Sequence, residues 1–140
     1  MKELLELHGV VEAPPDSVAA ILLDVRPGGR SPVALTGTME SAEGNEFVLV
    51  QDGSRLTVTV DHAARSVSLQ GEWWYRGVTA VLDDPRGAQV RHQIFNVADG
   101  NGMAVRFVSR GPLRAAPAAF ARQVADLGKQ LNCSAWVLPD

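Results

Sequence analysis

The sequence predicts an α+β fold: a curved antiparallel sheet of about seven strands around one long C-terminal helix, with one or two short helices after the first strand. Three observations carry that prediction. The middle of the chain alternates apolar and polar residues with the two-residue period of half-buried strands. The joints between these runs are too short for parallel crossovers, which need a dozen or more residues. Near the C-terminus the period changes, and Phe120, Val124, Leu127 and Leu131 fall on one helical face. A sheet of this size exposes one apolar face, and the C-terminal helix is the large element available to cover it.

The elements follow in order. Residues 4–13, LLELHGVVEA, read as the first strand, with Leu5 and Leu7 on one face, Leu4, Glu6 and His8 on the other, and Gly9 at a kink or bulge. In APPDSVAAILLDV, Pro15 suits a helical start, since its missing N–H is not needed there, and Asp16 and Ser17 suit a first turn. Val18, Ile21, Leu22 and Val25 have helical spacing, and Arg26-Pro27-Gly28-Gly29 ends the helix. Residues 30–44 admit a short second helix near 31–36, a loop or an edge strand, and their Pro and Gly favour irregular structure.

NEFVLVQ and LTVTVD read as a hairpin with Asp52-Gly53 at its turn. SVSLQ, 66–70, is the next strand, followed by one from Trp73 to Leu82, the turn DDPRG and a long strand over 88–98. DGNG, 99–102, signals a hairpin into a last strand, MAVRFVSR, 103–110. The closing helix is expected from Pro117 to Leu131, with Arg122, Asp126 and Lys129 on its wetter side and Gly128 allowing a close approach to the sheet.

A chain of 140 residues fits a single domain, 1–140. Its 13 basic and 16 acidic residues leave a formal charge of −3, without the basic excess of a nucleic-acid footprint, so no nucleic-acid partner is expected. One cysteine, Cys133, excludes an intramolecular disulfide and fits the reducing cytoplasm. The opening MKELLELHGVVEAPP is not a signal peptide, and no run approaches the 18 or so apolar residues of a membrane span. Neither GxGxxG nor GxxxxGK[ST] occurs, and His8, His62 and His92 lack metal-ligand spacing, so no cofactor or metal is expected.

Three stretches together resemble the helix-grip proteins of the START, Bet v 1 and polyketide-cyclase (SRPBCC) superfamily. VVEAPPDSVAAILLDV at 10–25 is similar to their first strand, proline-marked turn and short helix. WWYRGVTAVLDDPRGAQVRHQIF at 73–95 is similar to their long paired strands, and PAAFARQVADLGKQL at 117–131 to their closing helix. The resemblance implies a hollow between sheet and helix that receives a small hydrophobic or aromatic ligand. Two alternatives stay open: a polyketide cyclase or aromatase-like enzyme, and a protein-interaction or homodimeric module without ligand. The chain departs from the superfamily at Ala19 and Ala20, where an aromatic residue often sits, and carries no catalytic signature.

The candidate ligand-binding residues are Trp73, Trp74, Tyr75, Arg76, His92, Phe95, Phe107, Phe120 and Val124. Adjacent strand residues point to opposite faces, so Trp73 and Trp74 cannot share one interior unless a bulge intervenes, which Gly71 or Gly77 would tolerate. The set Trp74, Arg76, Val78, Ala80 and Leu82 ends more apolar, and is expected to reach the interior at its far end. Arg76, Arg91 and Arg106 lie on three successive expected strands and form a ladder if the register matches, one of them anchoring a polar ligand head. His92 shares a face with Val90, Ile94 and Asn96, and is the candidate hydrogen-bond partner or general base. Phe95, Phe107 and Phe120 are expected between sheet and helix. Each of these residues also reads as plain core, sheet-surface or solvated-face packing.

Overall fold

A computed structural model describes residues 1–34, 38–100 and 102–139. Eight strands form one antiparallel sheet in the order β2-β3-β4-β5-β6-β7-β1-β8. The strands are β1 (Lys2–Val11), β2 (Thr38–Glu43), β3 (Glu46–Gln51), β4 (Ser54–Asp61), β5 (Ser66–Gln70), β6 (Tyr75–Asp84), β7 (Gly87–Asn96) and β8 (Ala135–Val137). The helices are α1 (Pro15–Leu22), α2 (Gly102–Val108) and α3 (Arg110–Leu131). Sequential hairpins build β2 through β7, and β1 then closes on the far side of β7.

Local chemistry explains the joints. Asp52 and Gly53 both adopt positive φ, 51° and 78°, the turn geometry whose twist matches the strands it links. Pro15 opens α1. Beyond its end the Asp24 carboxylate accepts hydrogen bonds from Arg26 Nε at 2.7 Å and Arg30 Nε at 2.9 Å, fastening the 26–30 turn. Arg30 and Arg26 hold the Asp24 pKa down at about 2.

The core lies between the concave sheet face and the two helices α1 and α3. Val11, Val18, Leu22, Leu49, Val58, Val67, Ile94, Phe120 and Leu127 are fully buried there. The C-terminal half of α3 sits hard against β1 and β8. A Cβ added at Gly9 would meet Val124 at 2.9 Å, and one at Gly128 would meet the Ala135 Cβ at 2.7 Å. Asn132 then takes a left-handed conformation, and the Cys133 N–H donates to the Gly128 carbonyl at 2.9 Å, turning the chain into β8. Among the described residues, no helix is long and apolar enough to cross a membrane.

Three expectations are corrected. First, residues 103–110 are helical, not a strand: both edges of β7 are already paired, to β6 and β1, so no place remains beside it. The buried pair Val105 and Ser109 shows the i, i+4 stripe that won over the alternation. Met103 (85% exposed) and Phe107 (71% exposed) consequently face solvent, and Arg106 is off the sheet. Second, the closing helix begins at Arg110 and carries Pro117 inside it, two turns in, rather than at its start. Third, β8 was not anticipated; with β2 it brings the sheet to eight strands among the described residues. Of the alternatives left open for 30–44, the edge strand holds for β2, preceded by a short 3-10 turn, Pro32–Ala34; residues 35–37 of the alternative second helix lie outside the described residues. Of the expected DGNG turn, Asp99 and Gly100 form a bend and Asn101 lies outside the described residues.

Candidate functional site

The register of β6 and β7 sets what faces inward. Gly77 pairs with Ile94, Thr79 with His92 and Val81 with Val90, so Tyr75, Gly77, Thr79 and Val81 share the concave face with Val90, His92 and Ile94. This reverses the expected parity: Arg76, Val78, Ala80 and Leu82 lie on the convex face. Arg76 is opposite Phe95 there and donates to Gln70 at 2.9 Å. Phe95 is therefore outside the space between sheet and helix. Arg91 pairs with Ala80, several positions along from Arg76, and Arg106 lies on α2, so no arginine ladder forms.

The tryptophans escape strand parity because the strand starts after them. Residues 72–74 form a bend, closed by the Gly71 N–H donating to the Tyr75 carbonyl at 2.9 Å. The Val97 N–H donates to the Trp74 carbonyl at 2.8 Å and ties the bend to the end of β7. Freed from alternation, both rings reach one groove: Trp74 (8% exposed) inside it and Trp73 (46% exposed) at its rim. Trp74 meets Tyr75 edge-on, with ring centroids 5.5 Å apart and planes at 86°.

The groove runs between the N-terminal half of α3 and the concave surface of β3 to β7, with a volume of about 1130 Å³. Its origin is legible on the helix. Pro112, Ala115, Ala116 and Ala119 present short side chains to the sheet, where the other end of α3 presents Val124 and Leu127. Phe120 stands at the boundary, 1% exposed. Val124, packed on Gly9, belongs to the closed end and does not line the groove. Leu56, Leu69, Trp74 and Ile94 supply apolar wall. The charged lining residues are Asp52, Arg55, Glu72, Arg122 and Asp126.

Three polar side chains interrupt the apolar wall. His92 Nδ1 is 2.8 Å from Thr79 Oγ1, and the imidazole stacks on Phe120 with centroids 5.9 Å apart and planes at 22°. Burial lowers the His92 pKa from an ordinary 6.5 to about 4, so the ring is neutral at pH 7. The Tyr75 ring lies back over Gly77, where a Cβ would come within 2.5 Å of its hydroxyl and push the ring from this position. Burial raises the Tyr75 pKa, so the phenol keeps its proton. Neither Tyr75 Oη nor His92 Nε2 has a hydrogen-bond partner among the described residues, and neither is sealed from the groove.

Sequence reasoning missed Gly77, Thr79 and the alanines of α3. Gly77 was readable as space for its inward neighbour Tyr75 once parity is known, and the AAPAAFA run as a thin stretch of helix. Among the described residues, no cluster of His, Cys, Asp and Glu could hold a metal ion.

Solved structures share this architecture. The solution structure of KanY protein superposes with a TM-score of 0.63 at 15% identity, covering 94% of this chain and 99% of that one. A conserved protein from Geobacillus kaustophilus gives 0.57 at 12% identity over 94% and 99% of the two chains. A START superfamily protein from Mycobacterium smegmatis gives 0.51 at 13% identity over 89% and 99%. No family model and no curated protein matches the sequence. The eight-stranded curved sheet, the helices after β1 and the long C-terminal helix are the helix-grip fold of START and Bet v 1-like proteins, as the sequence resemblance implied.

Proposed function

We propose that this chain, acting as a single cytoplasmic domain, binds a small hydrophobic or aromatic molecule in the groove between its sheet and α3. One observation carries the reading: the sheet-facing surface of α3 thins to alanine where Trp73, Trp74, Tyr75 and Phe120 gather, leaving about 1130 Å³ walled largely by apolar and aromatic side chains. Space of that size and lining is what small-molecule sites have in common, a few placed polar groups included. The likeness to the START superfamily protein from Mycobacterium smegmatis supports the same reading. The lone Cys133 fits a reducing compartment. His92 serves this function better as a hydrogen-bonding group than as a general base, because its lowered pKa makes it a weak proton acceptor near neutrality.

The test is native mass spectrometry of freshly purified protein, followed by titration of delipidated protein with fatty acids, sterols and aromatic polyketides. Bound small molecules in the spectrum, and quenching of emission that is lost on Trp74→Phe, are the expected results. A ligand-free spectrum together with emission unmoved by every compound overturns the proposal.

A further inference from the structure

We infer that the groove selects an uncharged ligand bearing a hydrogen-bond acceptor, such as the carbonyl of a ketone, ester or amide, and holds that oxygen with the Tyr75 hydroxyl and the His92 Nε2–H. The inference rests on the groove being the binding site and adds the chemical class that it takes.

The proton positions follow from Thr79. Its side chain is buried, and its hydroxyl meets His92 Nδ1 at 2.8 Å with no other side-chain partner among the described residues. If Nδ1 carried the proton and donated to Oγ1, the threonine proton would be left buried and unpaired, at the desolvation cost of an orphaned donor. The economical arrangement is Thr79 donating to Nδ1, which puts the imidazole proton on Nε2. Stacking on Phe120 fixes the plane in which that N–H points. The Tyr75 phenol lies over Gly77, two register positions from the Thr79–His92 pair and next to it on the inward face. The free polar atoms of Tyr75 and His92 on this inward row are thus neutral donors, a state that burial of both rings favours.

Two donors in an apolar wall discriminate among ligands. A hydrocarbon strips water from both and returns nothing, leaving two unpaired groups. A carboxylate gives up its hydration beside two neutral donors, and the arginines of the groove, Arg55 and Arg122, are exposed and share its lining with Asp52, Glu72 and Asp126. A carbonyl oxygen has lone pairs for both donors and no charge to desolvate.

The experiment compares three naphthalenes of one shape: 2-acetylnaphthalene, 2-ethylnaphthalene and 2-naphthoate, by calorimetry at pH 7.5. The ketone is expected to bind about five-fold or more tighter than either analogue, a net hydrogen-bond effect. Tyr75→Phe and His92→Phe should each remove most of that advantage, weakening the ketone while 2-ethylnaphthalene binds more tightly, since one donor fewer is stripped of water. Equal affinity for the three, or preference for the naphthoate, overturns the inference while leaving the groove as a binding site. Failure of all three to bind also overturns the inference, whereas the groove reading itself falls only with a ligand-free spectrum and emission unmoved by every compound. An independent readout needs no ligand and no variant: long-range ¹H–¹⁵N spectra should show His92 as the neutral Nε2–H tautomer down to pH 5, and a protonated Nδ1 overturns the assignment.

Discussion

The two ends of α3 meet the same sheet in opposite ways. From Phe120 onward the helix presses on β1 and β8 so closely that Gly9 and Gly128 have no room for a methyl group. Before Phe120 it shows alanines and stands off behind a groove. One helix therefore anchors the fold with one half and leaves space for chemistry with the other. The division is written in side-chain volume, since both halves belong to the same continuous α-helix.

The largest effect should come from breaking the closed end. Leu127 is fully buried, and its truncation to alanine leaves a void among side chains that cannot collapse onto it. Leu127→Ala is expected to cost about 3 kcal/mol in urea denaturation. A loss below about 1 kcal/mol would mean that the two ends do not differ in packing as described.

Acid should distinguish the ends next. His92, on the groove side, holds its pKa at about 4 against an ordinary 6.5. Between these values the unfolded chain binds a proton that the folded chain refuses, so stability present above 6.5 falls as pH drops toward 4. The loss should be on the order of 2 kcal/mol, and His92→Phe should flatten that part of the profile. Asp24, held near 2 by Arg30 and Arg26, and Asp84, held near 2 by Arg86, lose their contributions only as pH falls below the ordinary carboxylate value of 3.8. An unchanged slope above pH 4 in His92→Phe would show that burial of this imidazole does not set the acid sensitivity.

The same contrast separates what was readable in the sequence from what was not. The closed end obeys the simple rules: Phe120, Val124 and Leu127 keep helical spacing, and Val124 and Leu127 are fully buried. The groove end breaks them. On the inward face of β6 the sequence places Gly77 and Thr79, while the convex face carries Val78, Ala80 and Leu82, so the apolar residues point to the wrong face. The reason is the site itself: Gly77 makes room for the Tyr75 ring, and Thr79 is the partner of His92. Consistency between pattern and fold fails first where polar groups are placed for a purpose. The helix at 102–108 was hidden for a different reason. Its alternation suits a strand as well as its i, i+4 stripe suits a helix, and the occupancy of both edges of β7 decides between them.

The smallest stability change and the sharpest test of function fall at one position. Ala119 lines the groove from α3, partly exposed, with open space ahead of its methyl group. A phenylalanine there enters a vacancy where the closed end would suffer overpacking, and it keeps the helix, so stability should stay within about 1 kcal/mol of the parent. Its ring should nevertheless occupy the space beside Trp74 and Phe120, so 2-acetylnaphthalene binding should weaken about ten-fold or more, the effect of filling an apolar pocket. Calorimetry with the ketone and urea denaturation on the same preparation read both quantities. A variant that binds as well as the parent would place the ligand elsewhere. A variant that loses several kcal/mol would show that the two halves of α3 are packed alike, and that the thinness of its alanine run is not what makes the groove.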